Sequence, residues 1–186
     1  MAESTDNVVM HGMKGLIGRM LVFRQKGGKT FVSRKPKRTA PLTPAQIAIN
    51  DKFQLAAVYA VAAISDPATK AAYEQIAGIN QSAYNLAIAD YFNAPEILDI
   101  DTTAYTGAVG SKIEVKATDD FKVKSVKVRI DDAAGTLVEE GLAVPDADGL
   151  HWSFTATRAN AVLTGDKVTV SVTDMPDNLT VKTKTL

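Results

Sequence analysis

Lys167-Val-Thr-Val-Ser-Val-Thr-Asp174 runs into Met175-Pro-Asp-Asn178 and then into Leu179-Thr-Val-Lys-Thr-Lys-Thr185. Valines stand at 168, 170 and 172 with hydroxyl-bearing residues between them. Successive side chains of an extended chain point to opposite faces, so this period of two predicts one buried and one wet face. Proline, aspartate and asparagine in succession are turn chemistry, and the alternation resumes after them. The stretch reads as two antiparallel strands joined by a tight turn.

The same reading extends back through residues 96–186. Strands are expected at Ile97–Thr102, Lys112–Ala117, Val123–Ile130, Thr136–Glu140, Trp152–Thr157, Lys167–Thr173 and Thr180–Thr185. Turn residues separate them at Thr106-Gly107, Asp131 to Gly135, Asp148-Gly149, Thr164-Gly165-Asp166 and Pro176-Asp177-Asn178. Seven short strands at this spacing predict an antiparallel β-sandwich. Val126, Val128 and Ile130 share one parity, which gives the third strand its core face.

Upstream, the period changes. Thr43-Pro44-Ala45-Gln46 is a capping box with proline at the first helical position. The helix it opens should run to about Ile64, with Ile49, Phe53, Ala56, Ala60 and Ile64 on one stripe. Its last ten residues are apolar all round, which predicts an end buried on several sides. Asp66-Pro67 opens a second helix that stops near Gly78, and Ser82–Phe92 makes a third, with Tyr84, Ala87 or Ile88, and Tyr91 on one face. Asn93-Ala94-Pro95 breaks the pattern. The expected domains are therefore 1–42, 43–95 and 96–186.

The first 42 residues have little core pattern. Met20–Gln25 and Thr30–Arg34 are β-prone flanks of Gly27-Gly28, which tolerates the positive φ of a two-residue hairpin loop. In that register Gln25 faces Thr30, Arg24 faces Phe31 and Phe23 faces Val32. Leu21, Phe23 and Val32 then lie on one face, and Arg24, Lys26, Lys29 and Phe31 on the other. Pro36 and Pro41 read as parts of an extended connector.

With 21 basic and 21 acidic side chains in 186 residues, the formal net charge is zero. That total hides a division: residues 1–95 carry 11 basic and 6 acidic side chains, net +5, and residues 96–186 carry 10 and 15, net −5. From Asn7 to Asn50 there are nine basic residues and no acid. Halves of opposite sign suit head-to-tail contacts between copies, or a basic arm on nucleic acid. The absence of cysteine removes disulfides, thiolate metal sites and cysteine nucleophiles, and two histidines leave little for acid–base or metal chemistry. The longest uninterrupted apolar run, Leu55–Ile64, is ten residues, and the acidic start shows no export signal. No membrane partner is expected, and the chain is read as cytoplasmic at synthesis.

Asp119-Asp120-Phe121, Val126-Lys-Val128, Trp152-Ser-Phe154-Thr-Ala156 and Val168–Asp174 with Asp177-Asn178 together resemble bacterial immunoglobulin-like modules. The first half resembles a group of Bacteroidetes and phage-associated proteins through Gly15-x-x-Gly18, Gly28-Lys29 and Thr43-Pro44-Ala45-Gln46 leading to Lys52-Phe53. The resemblances imply an α+β multidomain chain. It would consist of an N-terminal β-hairpin arm, a small helical region and a C-terminal immunoglobulin-like β-sandwich. They carry no catalytic motif over.

Several motifs resemble sites of known chemistry, and each lacks a part that the chemistry requires. Gly28-Lys29-Thr30 lacks the upstream glycine and following helix of a phosphate loop. Asp99-Ile100-Asp101-Thr102-Thr103 matches an aspartyl-phosphate phosphatase motif but sits among antiparallel strands. Asp119-Asp120, Asp131-Asp132 and Asp146-x-Asp148 lack the spacing of a calcium loop and read as solvated turns. His151 has no second ligand nearby in sequence.

The expectation is a non-enzymatic structural subunit with no cofactor and no metal. It would self-associate through its basic arm and helical region as a component of a phage virion (tail, connector or decoration). The contact residues are Arg19, Phe23, Arg24, Lys26, Lys29, Phe31, Arg34, Lys35, Lys37 and Arg38. Two alternatives stay open: a nucleic-acid-binding protein using the basic 14–38 ribbon, and an adhesion or carbohydrate-binding module built on the sandwich.

Overall fold

A computed structural model describes residues 2–4 (backbone), 10, 12–26, 29–37 and 40–186. The Gly27-Gly28 loop, His11 and Arg38 lie outside the described residues. The chain is a mixed α+β protein, mostly β, with three helices and three antiparallel four-stranded sheets among the described residues. It divides into two compact units, residues 1–47 and 48–186. The helical region and the C-terminal strands thus belong largely to one unit.

In the first unit, β1 (Ala2–Ser4), β2 (Gly15–Ile17), β3 (Leu21–Lys26) and β4 (Lys29–Arg34) form a sheet in the order β1-β4-β3-β2. The register of β3 on β4 is the one the sequence predicts, with Phe23 opposite Val32, Arg24 opposite Phe31 and Gln25 opposite Thr30. The ribbon does not stand alone, because β1 pairs with β4 and β2 with β3. That addition answers the instability of an isolated hairpin.

α1 (Pro44–Ser65), α2 (Pro67–Ile76) and α3 (Ala83–Phe92) follow. At the start of α1 the Thr43 N–H donates to Gln46 Oε1 and the Gln46 N–H donates to Thr43 Oγ1, which completes the capping box. Asp66 caps α2 by accepting from the Thr69 N–H at 2.8 Å, and Ser82 caps α3 by accepting from the Asn85 N–H at 3.3 Å. The three helices pack around Ala60, Tyr73, Ala83 and Ala87.

β5 (Glu96–Asp101), β6 (Lys112–Thr118), β7 (Val123–Asp131), β8 (Leu137–Leu142), β9 (Val144–Pro145), β10 (His151–Thr155), β11 (Lys167–Asp174) and β12 (Leu179–Thr185) build two sheets, β5-β6-β10-β9 and β12-β11-β7-β8. Their buried residues form one cluster: Ile113, Val115, Trp152 and Phe154 come from the first sheet, and Val126, Val128, Ile130, Val168, Val170 and Val172 from the second. The alternation read at 168, 170 and 172 is the buried parity of β11. The Lys182 and Lys184 ammonium groups of β12 donate to the Ile97 and Ile100 carbonyls of β5, linking the two sheets.

Two expectations need correction. The C-terminal end of α1 is not buried on several sides: Ala56 and Ala60 are its buried residues, whereas Leu55, Val58 and Val61 are 56–70% exposed. The buried stripe of α3 is Ala83, Ala87 and Asp90, with Tyr84, Ile88 and Tyr91 half-buried. A tyrosine at a helix edge keeps its hydroxyl wet while its ring packs, and the small alanines allow close approach.

Candidate functional site

The β3–β4 register sorts the basic residues of the first unit. One face carries Leu21, Phe23 and Gln25 with Thr30, Val32 and Arg34; the other carries Arg24 and Lys26 with Lys29, Phe31 and Ser33. Phe23 is 7% exposed, so it serves as the packing centre of this sheet and offers no open contact surface. Beside it Thr30 is buried, and its hydroxyl accepts from Gln25 Nε2 at 2.8 Å; the same amide donates to the Met13 carbonyl. On the opposite face, half-buried Phe31 lies across from exposed Arg24.

A second basic group gathers at the β2–β3 turn. Arg19 there adopts φ 60°, and the Lys35 N–H donates to the Met20 carbonyl at 2.7 Å. Arg19, Arg34, Lys35 and Lys37 surround Met20 and Leu21 in one shallow cavity. Met20 is 69% exposed at its centre. Of the ten sequence-derived contact residues, these four thus come together. Arg24, Lys26, Lys29 and Phe31 form a separate face of the ribbon, and Arg38 lies outside the described residues.

α1 contributes an apolar surface. Its 22 residues include two charged side chains, Asp51 and Lys52. Over its most apolar 18 residues the mean hydropathy is 1.3, and it is long and apolar enough to cross a membrane by length and composition. One side of it packs on its own chain: the Tyr59 and Tyr73 hydroxyls are 3.2 Å apart, and the Phe53 and Phe92 rings lie 6.4 Å apart. Ile47, Leu55, Val58 and Val61 fall on the other side, within an arc of about 120°. They are 46–70% exposed.

A third constellation takes in Asp119, which the sequence reads as part of a solvated turn but whose Oδ1 is buried beside two other carboxylates. Asp90 of α3, Asp119 before β7 and Asp174 at the end of β11 place one carboxylate oxygen each within 4.8 Å of one another. Asp90 and Asp174 are buried. The Tyr73 hydroxyl donates to Asp90 Oδ2 at 2.6 Å, and the Tyr73 ring stacks on Phe121 at 3.8 Å. Asp174 accepts from the Asn178 backbone N–H at 2.6 Å and from its side-chain Nδ2 at 2.7 Å. The same Asn178 amide reaches the Asn93 carbonyl at 3.0 Å, clipping the end of α3 to the β11–β12 turn.

Burial pushes the Asp90 carboxyl up to about 7; the Tyr73 hydrogen bond opposes that shift, and the Asp119 and Asp174 charges reinforce it. Burial likewise raises Asp174, against the pull of its Asn178 hydrogen bonds. Tyr73 is raised far above the ordinary phenol range, first by burial and then by its bond to Asp90. A signal for this cluster was present in the sequence. Asp90 is the one ionisable carboxylate in the apolar helix Ala-Tyr-Asn-Leu-Ala-Ile-Ala-Asp-Tyr-Phe.

The remaining acidic motifs resolve as local turns. Asp101 accepts from the Thr103 N–H, and Asp132 from the Ala134 and Thr136 N–H groups. Asp148 accepts from the Leu150 and His151 N–H groups and bonds the His151 ring. Those His151 and Leu150 bonds hold the Asp148 carboxyl far below its usual range. Asp99 and Asp101 lie on antiparallel β5, without the parallel strand that phosphatase chemistry requires.

No protein-family model and no curated protein sequence matches the chain. Among solved structures it is similar to CopC from Methylosinus trichosporium OB3b, at 20% identity over 48% of this chain and 87% of that one, with a TM-score of 0.36. It is also similar to an engineered protein at 16% identity, with a TM-score of 0.35. That second likeness covers 55% of this chain and 25% of the other.

Proposed function

We propose that this chain is a non-enzymatic structural subunit that self-associates through its basic N-terminal sheet and the outer face of α1. The β region, read as an immunoglobulin-like sandwich, acts as a spacer. The observation that carries this reading is the uncovered arc of Ile47, Leu55, Val58 and Val61, each 46–70% exposed on a helix with two charges. Burying what remains of four such side chains is worth roughly 1 kcal/mol apiece, about 4 kcal/mol per copy. That is enough to offset a substantial part of the cost of association.

Charge supports a second copy as the occupant. Residues 1–47 carry nine basic and two acidic side chains, net +7, and residues 48–186 carry twelve and nineteen, net −7. A surface of one sign on one copy meets its complement on the next, a heterologous contact that closes into rings or extends into filaments. A particle such as a phage virion is the setting in which a neutral chain of two oppositely charged units serves best. The resemblance of residues 15–53 to phage-associated sequences points the same way.

Light-scattering chromatography at about 100 μM tests this directly. The full chain should elute above monomer mass, and Val58→Asp with Val61→Asp should return it to the monomer. A wild-type chain that is monomeric at that concentration overturns the reading. The nucleic-acid reading rests on the Arg19, Arg34, Lys35 and Lys37 cluster and on Phe31 facing Arg24. Oligonucleotide anisotropy separates it, since phosphate binding weakens steeply between 50 and 200 mM salt.

A further inference from the structure

Three carboxylates converging inside a protein must be answered by protons, by basic side chains or by a cation. Basic side chains do not answer these three. Among the described residues, Lys70–Glu74, Lys124–Asp177, Lys127–Glu140, Arg129–Asp131 and His151–Asp148 form ion pairs, and none of these includes Asp90, Asp119 or Asp174. Hydrogen bonds occupy one oxygen of Asp90, one of Asp119 and both of Asp174. Asp90 Oδ2 takes the Tyr73 hydroxyl, and Asp119 Oδ2 takes the Phe121 and Lys122 N–H groups at 3.2 and 3.1 Å. Both Asp174 oxygens take hydrogens from Asn178.

What is left over is specific. Asp90 is 1% exposed, and neither its Oδ1 nor the buried Asp119 Oδ1 receives a hydrogen from the backbone or from a neutral or basic side chain; the one bond open to them is a proton shared between the Asp90 and Asp119 carboxyls. Both groups belong to the set whose oxygens gather within 4.8 Å, and Asp174 completes it. An orphaned, fully buried carboxylate oxygen is costly, so a group that satisfies several such oxygens at once is strongly favoured. One proton bridges two oxygens and leaves two negative charges in place. A divalent cation meets all three carboxylates and cancels most of their charge.

We propose that Asp90, Asp119 and Asp174 form a site for a hard divalent cation, which fastens the end of α3 to the β6–β7 turn and the end of β11. The all-oxygen donor set excludes a preference for soft metals. Asp119 is the partly exposed member of the set. This site does not depend on the assembly reading.

The test uses the full chain stripped with chelator and titrated with CaCl2, followed by calorimetry and thermal melting. Calcium at a hundredfold excess over Kd should raise Tm by about 5–10 °C, and the shift should reverse on adding EDTA. Asp119→Asn keeps an oxygen for the Phe121 and Lys122 N–H groups, so it folds. It should bind calcium at least tenfold more weakly. Asp90→Asn should abolish the shift, and terbium emission sensitised through Tyr73 gives a second readout of the same site. A wild-type chain whose Tm is indifferent to calcium overturns the proposal, as does an Asp119→Asn variant that binds as tightly as wild type.

Discussion

Replacing Gly107 by alanine puts the loop after β5 under a stress whose size can be worked from its neighbours. Gly107 has φ +78°, and a Cβ there would stand 2.1 Å from the Asn160 carbonyl oxygen and 3.1 Å from Leu163 Cδ2. The left-handed conformation alone costs a non-glycine residue about 1 kcal/mol. The collision with Asn160 is with backbone, so the two loops must part by more than 1 Å to reach ordinary contact distance. Parting removes the Asn160 N–H to Gly107 carbonyl bond of 2.7 Å. It also disturbs the Asn160 side chain, whose Nδ2 donates to Tyr105 Oη at 3.2 Å and to buried Asp166 at 2.7 Å. Two or three hydrogen bonds at about 1 kcal/mol each bring the total to about 3–4 kcal/mol.

Gly110→Ala is the matched control. Gly110 has φ +89° with open space around its Cα, so it should cost about 1 kcal/mol, the conformational part alone. Urea denaturation followed by the fluorescence of Trp152, the single tryptophan, reports the unfolding of the β region that holds both glycines. Equal losses for the two variants would refute the close approach of residues 107 and 160.

Two further outcomes follow from side chains that join separate elements. Asn178→Ala removes donors to Asp174 and to the Asp90, Tyr91 and Asn93 carbonyls, and should lower stability by about 2–3 kcal/mol in the same assay. A loss below about 0.5 kcal/mol would show that water replaces the clip at no cost. Burial alone would raise Glu139, but its hydrogen bonds from Thr157 Oγ1, the Thr157 N–H and the Arg158 N–H outweigh burial and hold it below its ordinary value. Because the folded carboxyl titrates below the unfolded one, its stabilisation is present above about pH 4.3 and is lost as pH falls through the folded value. Glu139→Gln should therefore destabilise most at pH 7, with the gap to wild type narrowing below pH 4. A gap independent of pH between 3 and 7 contradicts this.

The β region was legible because its signals are local. Alternating valines, Pro-Asp-Asn turns and glycines at 107, 135, 149 and 165 set strand limits and faces without reference to distant residues, and all four glycines take positive φ. The β3–β4 register was legible for the same reason, since a two-residue loop leaves one pairing. Helix starts were legible through caps at Thr43, Asp66 and Ser82. The covered face of α1 was legible in its second half, where Ala56, Ala60 and Ile64 of the expected stripe pack, whereas Ile49 and Phe53 of the same stripe stay 61% and 51% exposed, because an apolar helix carries no mark of where its own chain stops covering it.

For the sites the division is sharper. Composition alone determined the charge asymmetry and the absence of thiol chemistry, and the basic residues of 19–37 were all named from sequence. Tertiary structure alone gathered Arg19 with Arg34, Lys35 and Lys37, and it alone drew Asp90, Asp119 and Asp174 together from positions separated by as many as 84 residues. Periodicity and turn chemistry act over a few bonds, so a chain writes them in order. The meeting of three carboxylates depends on how helices dock on strands, and that geometry is set by the packing of Tyr73 against Phe121 and by the reach of Asn178.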